Sequence, residues 1–257
     1  MICGGQPSLY PCRFENGFVP KIEDLEERVN ENTVAILYNF PSNPTGGNVT
    51  PEERDELLAF AERNDLWVIT DEVYDRIVYD CEHVSFLGAG YDKVIMINSF
   101  SKTFAMTGWR IGYILSENEE AMTHITKMQY YVTACSNDAM QYAVLEAMEK
   151  APNYPAQMCQ EFKARRDLIC DRLNAMEGVS CHIPTGAFYV FPKVDVPGMN
   201  SEEIAMALLE GGVLCSPGSA FGEAGEGHLR FAYTIGREDI SRGMDRVEKV
   251  LANLRSN

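Results

Sequence analysis

Histidine and tryptophan are scarce in this chain, four and two in 257 residues, and none of the eight cysteines forms a CxxC pair. His83, His124, His182 and His228 are dispersed without ligand spacing, which excludes a zinc site of the usual local pattern and leaves no histidine with a catalytic assignment. No apolar run approaches the roughly twenty residues of a membrane-spanning helix, and no signal-peptide pattern, internal repeat or low-complexity tract is visible in these 257 residues. Positive charge is also short: 22 Lys and Arg face 38 Asp and Glu, a net charge of -16. That balance argues against a nucleic-acid or anionic-membrane partner, since either would be repelled. Any anion site must then be built locally, which draws attention to individual arginines. What is present is ordinary for a globular chain, 46% hydrophobic and 23% charged, long enough for one or two domains. Cys3, Cys12, Cys81, Cys135, Cys159, Cys170, Cys181 and Cys215 sit in scattered, mostly apolar contexts, the pattern of reduced thiols in a cytoplasmic protein.

The stretch Ser99 to Gly112, SFSKTFAMTGWRIG, concentrates unusual chemistry. An apolar run, Val94 to Asn98, leads into Ser99, Ser101 and Lys102, and Arg110 opens the next predicted strand, Arg110 to Leu115. A lysine whose pKa is lowered by burial or by a nearby cation can attack an aldehyde, and Arg110 supplies a cation. Arginine with serine hydroxyls also grips phosphate. The combination suggests an aldehyde carrying a phosphate, such as pyridoxal 5'-phosphate. A surface Ser-Lys loop beside a structural arginine is the bland alternative.

Two further stretches follow predicted parallel strands. NFPSNPTG, Asn39 to Gly46, comes after the strand Thr33 to Tyr38, and DEVY, Asp71 to Tyr74, after Leu66 to Thr70. The C-terminal edge of such strands is where open α/β sheets hold ligands. A carboxylate there can keep a pyridine nitrogen protonated, the part suited to Asp71. An amide and a phenol can bond a ring oxygen, the part suited to Asn43 and Tyr74. Taken singly, each has a plainer role: Asp71 and Glu72 as caps of a following helix, Asn43 as a turn residue, Tyr74 as a packed aromatic.

In this order and spacing, NPTG, DEVY and SFSKTFAMTGWRIG resemble the class I/II aminotransferases of the fold-type I enzymes that depend on pyridoxal phosphate. LRFAYT, Leu229 to Thr234, resembles the same family's substrate-carboxylate motif. The likeness runs through essentially the whole chain. It implies Lys102 as the Schiff-base lysine, Asp71 as partner of the pyridine nitrogen, and Asn43 and Tyr74 as partners of the ring oxygen. It further implies Ser99 and Arg110 at the phosphate, Arg230 with Asn43 at the substrate carboxylate, and catalytic parts for Lys102, Asp71 and Tyr74. The activity implied is amino-group transfer between an α-amino acid and a 2-oxo acid in a cytoplasmic homodimer. Other fold-type I reactions of β-lyase or racemase type share these motifs. A non-catalytic protein is a further alternative, either a truncated remnant or the effector domain of a regulator. PTGAFYVFP, Pro184 to Pro192, resembles a segment near the substrate, with Gly186 and Phe188 as lining residues. Core packing explains Phe188, Tyr189 and Phe191 equally well.

The fold class expected is α/β: a mostly parallel large domain of the fold-type I kind, incomplete, over residues 1–151, and a smaller α+β domain over 152–257. The resemblance places Met1 well inside the large domain, so the first sheet strands, a glycine-rich phosphate loop and an aromatic stacking on the cofactor are expected outside this sequence. Along the chain, Gln6 to Pro11 reads as a strand and Lys21 to Asn30 as a charged amphipathic helix. Thr50-Pro51-Glu52-Glu53 reads as a capping box opening a helix to about Asn64. A helical pattern over Glu117 to Lys150 breaks near Thr133 to Asn137, and a long helix to about Met176 connects to the smaller domain. Beyond it, short strands at 179–182, 187–191, 213–215 and 228–233 alternate with helices at 201–210 and 238–253.

Overall fold

A computed structural model describes residues 4–256, so Cys3 lies outside the described residues. The chain forms two compact units that do not follow a single cut in the sequence. One comprises Asn30–Ser42 and Asn48–Gln160, and the other Met1–Val29, Asn43–Gly47 and Glu161–Asn257.

The first unit is built on a four-stranded sheet in the order β1-β2-β3-β4, with β1 Ala35–Asn39, β2 Trp67–Asp71, β3 Val94–Ser99 and β4 Gly112–Leu115. β1, β2 and β3 run parallel and β4 antiparallel, giving the mostly parallel sheet expected. β2 and β3 alternate buried and half-buried residues, the period of a pleated surface covered mainly on one side. Helix α2, Pro51–Arg63, opens on the expected box: Thr50 Oγ1 accepts from Glu53 N, and the Glu53 carboxylate accepts from Thr50 N. It buries Leu57, Leu58, Phe60 and Ala61. Tyr38, Phe40 and Phe86 stack within the core, with Tyr38 and Phe86 centroids 5.2 Å apart. The four-residue α3, Phe100–Thr103, follows β3, and α4 Glu119–Thr133 and α5 Asp138–Lys150 divide at the expected break, each capped by an asparagine, Asn118 and Asn137. β1 and β4 are the sheet's edges. They expose Leu37, Tyr113 and Leu115, as α4 and α5 expose Met128, Tyr131, Val132, Tyr142 and Met148.

The second unit is α+β. Helix α1, Ile22–Glu26, precedes in sequence the long α6, Tyr154–Asn174, whose residues count with the second unit from Glu161 onward. β5 Val179–Ser180 pairs antiparallel with β7 Lys193–Val194, and β6 Tyr189–Val190, β9 Leu229–Ala232 and β8 Ser216–Pro217 form an antiparallel sheet in that order. α7, Ser201–Glu210, carries a second full capping box, from Asn200 and Glu203. α8, Arg237–Ser256, buries Ile240, Met244, Val247 and Leu251 at helical spacing.

Several sequence expectations change. Gln6 to Pro11 belongs to no strand, because Pro7 and Pro11 have no N–H to give a ladder; Leu9 O instead accepts from Arg28 Nε at 3.1 Å. α1 is shorter than Lys21 to Asn30, having no side-chain cap and only Leu25 buried to hold it. The strand expected at 213–215 forms at Ser216–Pro217, and the one expected from Arg110 begins at Gly112, because Arg110 takes a left-handed conformation with φ 54°. No helix follows DEVY, and Glu72 caps nothing. It is 1% exposed and accepts from His83 Nε2 at 2.7 Å, Phe86 N at 3.0 Å, Ser85 Oγ at 3.2 Å and Thr70 Oγ1 at 3.3 Å. Residues 4–29 and the NPTG turn group with the C-terminal part. Backbone and ring contacts hold them there: Thr185 N and Gly186 N donate to Gly46 O, and His182 Nε2 lies 2.6 Å from Phe14 O.

Candidate active site

In the first unit the parallel register brings the ends of β2 and β3 to one edge of the sheet. Asp71 closes β2 opposite Asn39 of β1, whose Nδ2 donates to Asp71 O at 3.0 Å, and Ser99 closes β3. The Asp71 carboxylate accepts from Val73 N at 3.3 Å. Burial moves its pKa up, against the pull of the Val73 amide and the Lys102 charge, while Glu72 adds to the rise. Lys102 stands on α3, one turn from Ser99. Burial lowers its pKa, the Arg110 charge lowers it further, and Asp71 opposes both. Its Nζ lies 5.7 Å from the centroid of the buried Tyr74 ring. Lys102, Asp71, Arg110 and Tyr74 are therefore brought together electrostatically or by contact.

Ser99 is placed at the same corner, but its hydroxyl is engaged. It caps α3 by accepting from Ser101 N at 3.0 Å, and its single proton is shared between Ile111 O at 3.1 Å and Ser101 Oγ at 2.8 Å. Arg110 Nη1 donates to Thr107 O at 2.8 Å, and Thr107 Oγ1 to Ser101 O at 3.1 Å, so the loop is closed by its own bonds.

In the second unit Asn43 and Arg230 meet. Arg230 projects from β9 between buried Leu229 and Phe231, on the half-buried face, as the alternation predicts. Its Nη1 donates to Asn43 Oδ1 at 2.9 Å and its Nη2 to Ser216 Oγ at 3.1 Å. Tyr189 and Phe221 each place a ring centroid 4.9 Å from its Cζ. Among the described residues no carboxylate pairs with it. Gly46 anchors the Asn43 turn: at φ +70° it sits where an added Cβ would fall 2.5 Å from Pro184 Cβ and 2.8 Å from Tyr189 O. Only glycine permits that approach.

Sequence reasoning missed Ser216 and Phe221 and gave Tyr189 to the core. Ser216 reaches Arg230 because the two are directly opposed in the β8–β9 ladder, a pairing of two-residue reach that no sequence period reveals. Phe188 packs on Phe162, with centroids 5.4 Å apart, as core packing predicts. Among the described residues there is no cluster suited to a metal ion and no helix long and apolar enough to cross a membrane.

A family model, aminotransferase class I and II, matches residues 1–247. The chain is 38% identical to aromatic-amino-acid aminotransferase 2 of Thermococcus litoralis and 39% identical to an aspartate aminotransferase of Pyrococcus abyssi, in each case over 98% of this chain and 66% of the relative. It thus spans about two-thirds of the length of the curated relatives it matches. Among solved structures, an aromatic aminotransferase from Pyrococcus horikoshii superposes with a TM-score of 0.92 at 37% identity, covering 98% of this chain and 69% of that one. An aspartate aminotransferase from Thermus thermophilus with maleate gives 0.86 at 31% identity, covering 92% and 62%. The motif order, the parallel sheet edge holding Asp71 and Lys102, and a match running through nearly every residue lead to one assignment: the chain belongs to the class I and II aminotransferases.

Proposed function

We propose that this chain carries the cofactor-binding and carboxylate-binding residues of an aminotransferase that moves an amino group between an α-amino acid and a 2-oxo acid with pyridoxal 5'-phosphate. The observation that carries the reading is Lys102, an amine with a lowered pKa flanked by the Asp71 carboxylate, the Arg110 cation and the Tyr74 ring. The donor set suits the cofactor. Lys102 offers an amine for an aldehyde, Asp71 a carboxylate for a protonated ring nitrogen, Tyr74 a phenol for the ring oxygen, and Arg110 with the Ser99–Ser101 hydroxyls donors for a phosphate. For Ser99 to serve there, its proton must turn away from Ile111 O and Ser101 Oγ. When bound, the cofactor supplies the electron-withdrawing ring that weakens bonds at the substrate α-carbon.

The protein's own work divides among these groups. Burial and Arg110 keep a larger share of Lys102 in the neutral form, in which an amine can take a proton as a base and return it as an acid. Asp71, held by the Val73 amide and facing the Lys102 charge, presents negative charge at the end of β2. Arg230 with Asn43 binds the substrate α-carboxylate, and its lack of a carboxylate partner among the described residues supports that role. The maleate held by the Thermus thermophilus relative is a dicarboxylate, in keeping with such an anchor. We read the whole protein as a cytoplasmic homodimer. The seven cysteines among the described residues form no disulfide, in keeping with a reducing compartment, and the apolar side chains exposed on α4 and α5 agree with a covered surface.

Titration with pyridoxal phosphate followed by absorbance tests the reading, with borohydride reduction and mass-spectrometric location of the label. The label is expected on Lys102 and lost in Lys102→Ala. Labelling elsewhere, or an unchanged visible band in that variant, removes Lys102 from the role. A panel of amino acids against 2-oxo acids then reads amino transfer against release of ammonia.

A further inference from the structure

Among the described residues, Arg230 is held by neutral groups alone. Two acceptors, the Asn43 amide oxygen and the Ser216 hydroxyl, fix Nη1 and Nη2, and two rings stand 4.9 Å from Cζ. The rings reach it from separate parts of the sheet: Tyr189 from β6 on one side of β9, and Phe221 from the segment following β8 on the other. Phe221 is itself fixed. Its ring meets Phe191 edge-on at 5.8 Å, and Phe191 lies flat on His228 at 5.0 Å. The loop carrying it is pinned where Gly218 N donates to His228 O at 2.8 Å, and a Cβ at Gly218 would fall 1.8 Å from Gly225 O.

A carboxylate would hold the guanidinium as firmly, but it would cancel the charge that a ligand needs. An aromatic face attracts a cation through its quadrupole without neutralising it, and hydroxyl and amide oxygens take one N–H each. A guanidinium has five N–H donors, so three remain after Asn43 and Ser216 take theirs.

We propose that Phe221, Tyr189 and Ser216 are positioning residues that orient the Arg230 guanidinium while leaving its charge for a ligand carboxylate. The inference rests on the carboxylate reading of Arg230 above and adds three residues to it. It also accounts for a cation lying half-buried with no anion beside it among the described residues.

The test is an NMR titration of the full chain with maleate in the presence of pyridoxal phosphate. It follows both the dissociation constant and the Arg230 Nε–Hε resonance, assigned by its loss in R230K. Phe221 is 37% exposed, so F221L opens no closed core cavity. F221L is expected to weaken maleate binding about tenfold and to move the Arg230 resonance as ring shielding is lost, whereas F221Y keeps both near wild type. S216A is expected to weaken binding about tenfold, the loss of one hydrogen bond to a charged group. Thermal unfolding confirms that each variant is folded. If F221L and S216A bind like wild type while R230K does not bind, the positioning inference falls and the carboxylate reading stands. If R230K binds like wild type, both fall.

Discussion

Arg230 Nη1 donates to Asn43 Oδ1 at 2.9 Å, although 187 residues separate the two in sequence. The NPTG turn and the LRFAYT strand, recognisable apart as motifs, are thus one structural unit. Asn43 accepts from the guanidinium without charge, so Asn43→Asp converts a neutral support into a counter-ion. That variant is expected to weaken carboxylate binding at Arg230 by about tenfold or more while changing stability little, because the new ion pair is part-exposed. A maleate titration reads the first effect and chemical denaturation the second.

Glu72 is the buried carboxylate that ties the 83–86 segment to the end of β2, with four donors around it and 1% exposure. Glu72→Ala leaves those donors without their acceptor. A loss of about 3 kcal/mol in unfolding free energy is expected, with Glu72→Gln milder. Hydrogen exchange at the Phe86 amide, which donates to Glu72 at 3.0 Å, is expected to accelerate in both variants. Unchanged protection there would show that the segment is held by other means.

Lys102 is pulled below the ordinary lysine pKa of 10.5 by burial and by Arg110. Its neutral amine is the reactive form, so the rate of borohydride-trappable coupling to pyridoxal phosphate should rise with pH and level off at a midpoint below 10.5. Arg110→Gln removes the cation, so protonation becomes easier and the midpoint shifts upward. A midpoint unmoved by that substitution would mean that burial alone sets it. Trapping rates over a pH series supply the measurement.

The edge strand β1 exposes Leu37 at 56%, and Val34, just before the strand, is 73% exposed. Such an edge invites pairing between chains. Leu37→Lys is expected to lower self-association and apolar-dye binding of the 257-residue chain while altering stability by no more than about 0.5 kcal/mol. Sedimentation velocity and dye fluorescence compare the two proteins.

Much of the site was legible because its chemistry is local. Asp71 directly follows an apolar strand, and Ser99, Ser101 and Lys102 share four residues, so the signals of strand, turn and reactive group coincide. The Thr50 box was readable for the same reason: capping is decided within one turn of helix. Glu72 was misread because its partners, His83, Ser85 and Phe86, lie 11 to 14 residues downstream in an irregular segment. Ser216 and Tyr189 were missed as partners of Arg230 because β6 and β8 are two-residue strands, too short to show alternation, and Phe221 because it ends a short helical turn after β8.

By itself the sequence determined the strand and helix order of the sheet unit, the α+β character of the C-terminal part, and the amine, carboxylate and arginines on which the functional reading stands. These follow from periodicity and residue type, which act over a few residues. The tertiary structure alone decided that Arg230 leans on Asn43, Ser216 and two rings and, among the described residues, not on an acid. It also decided that Ser99 spends its proton inside its own loop. Those outcomes depend on which distant backbone arrives beside each side chain, and only the packed chain fixes that.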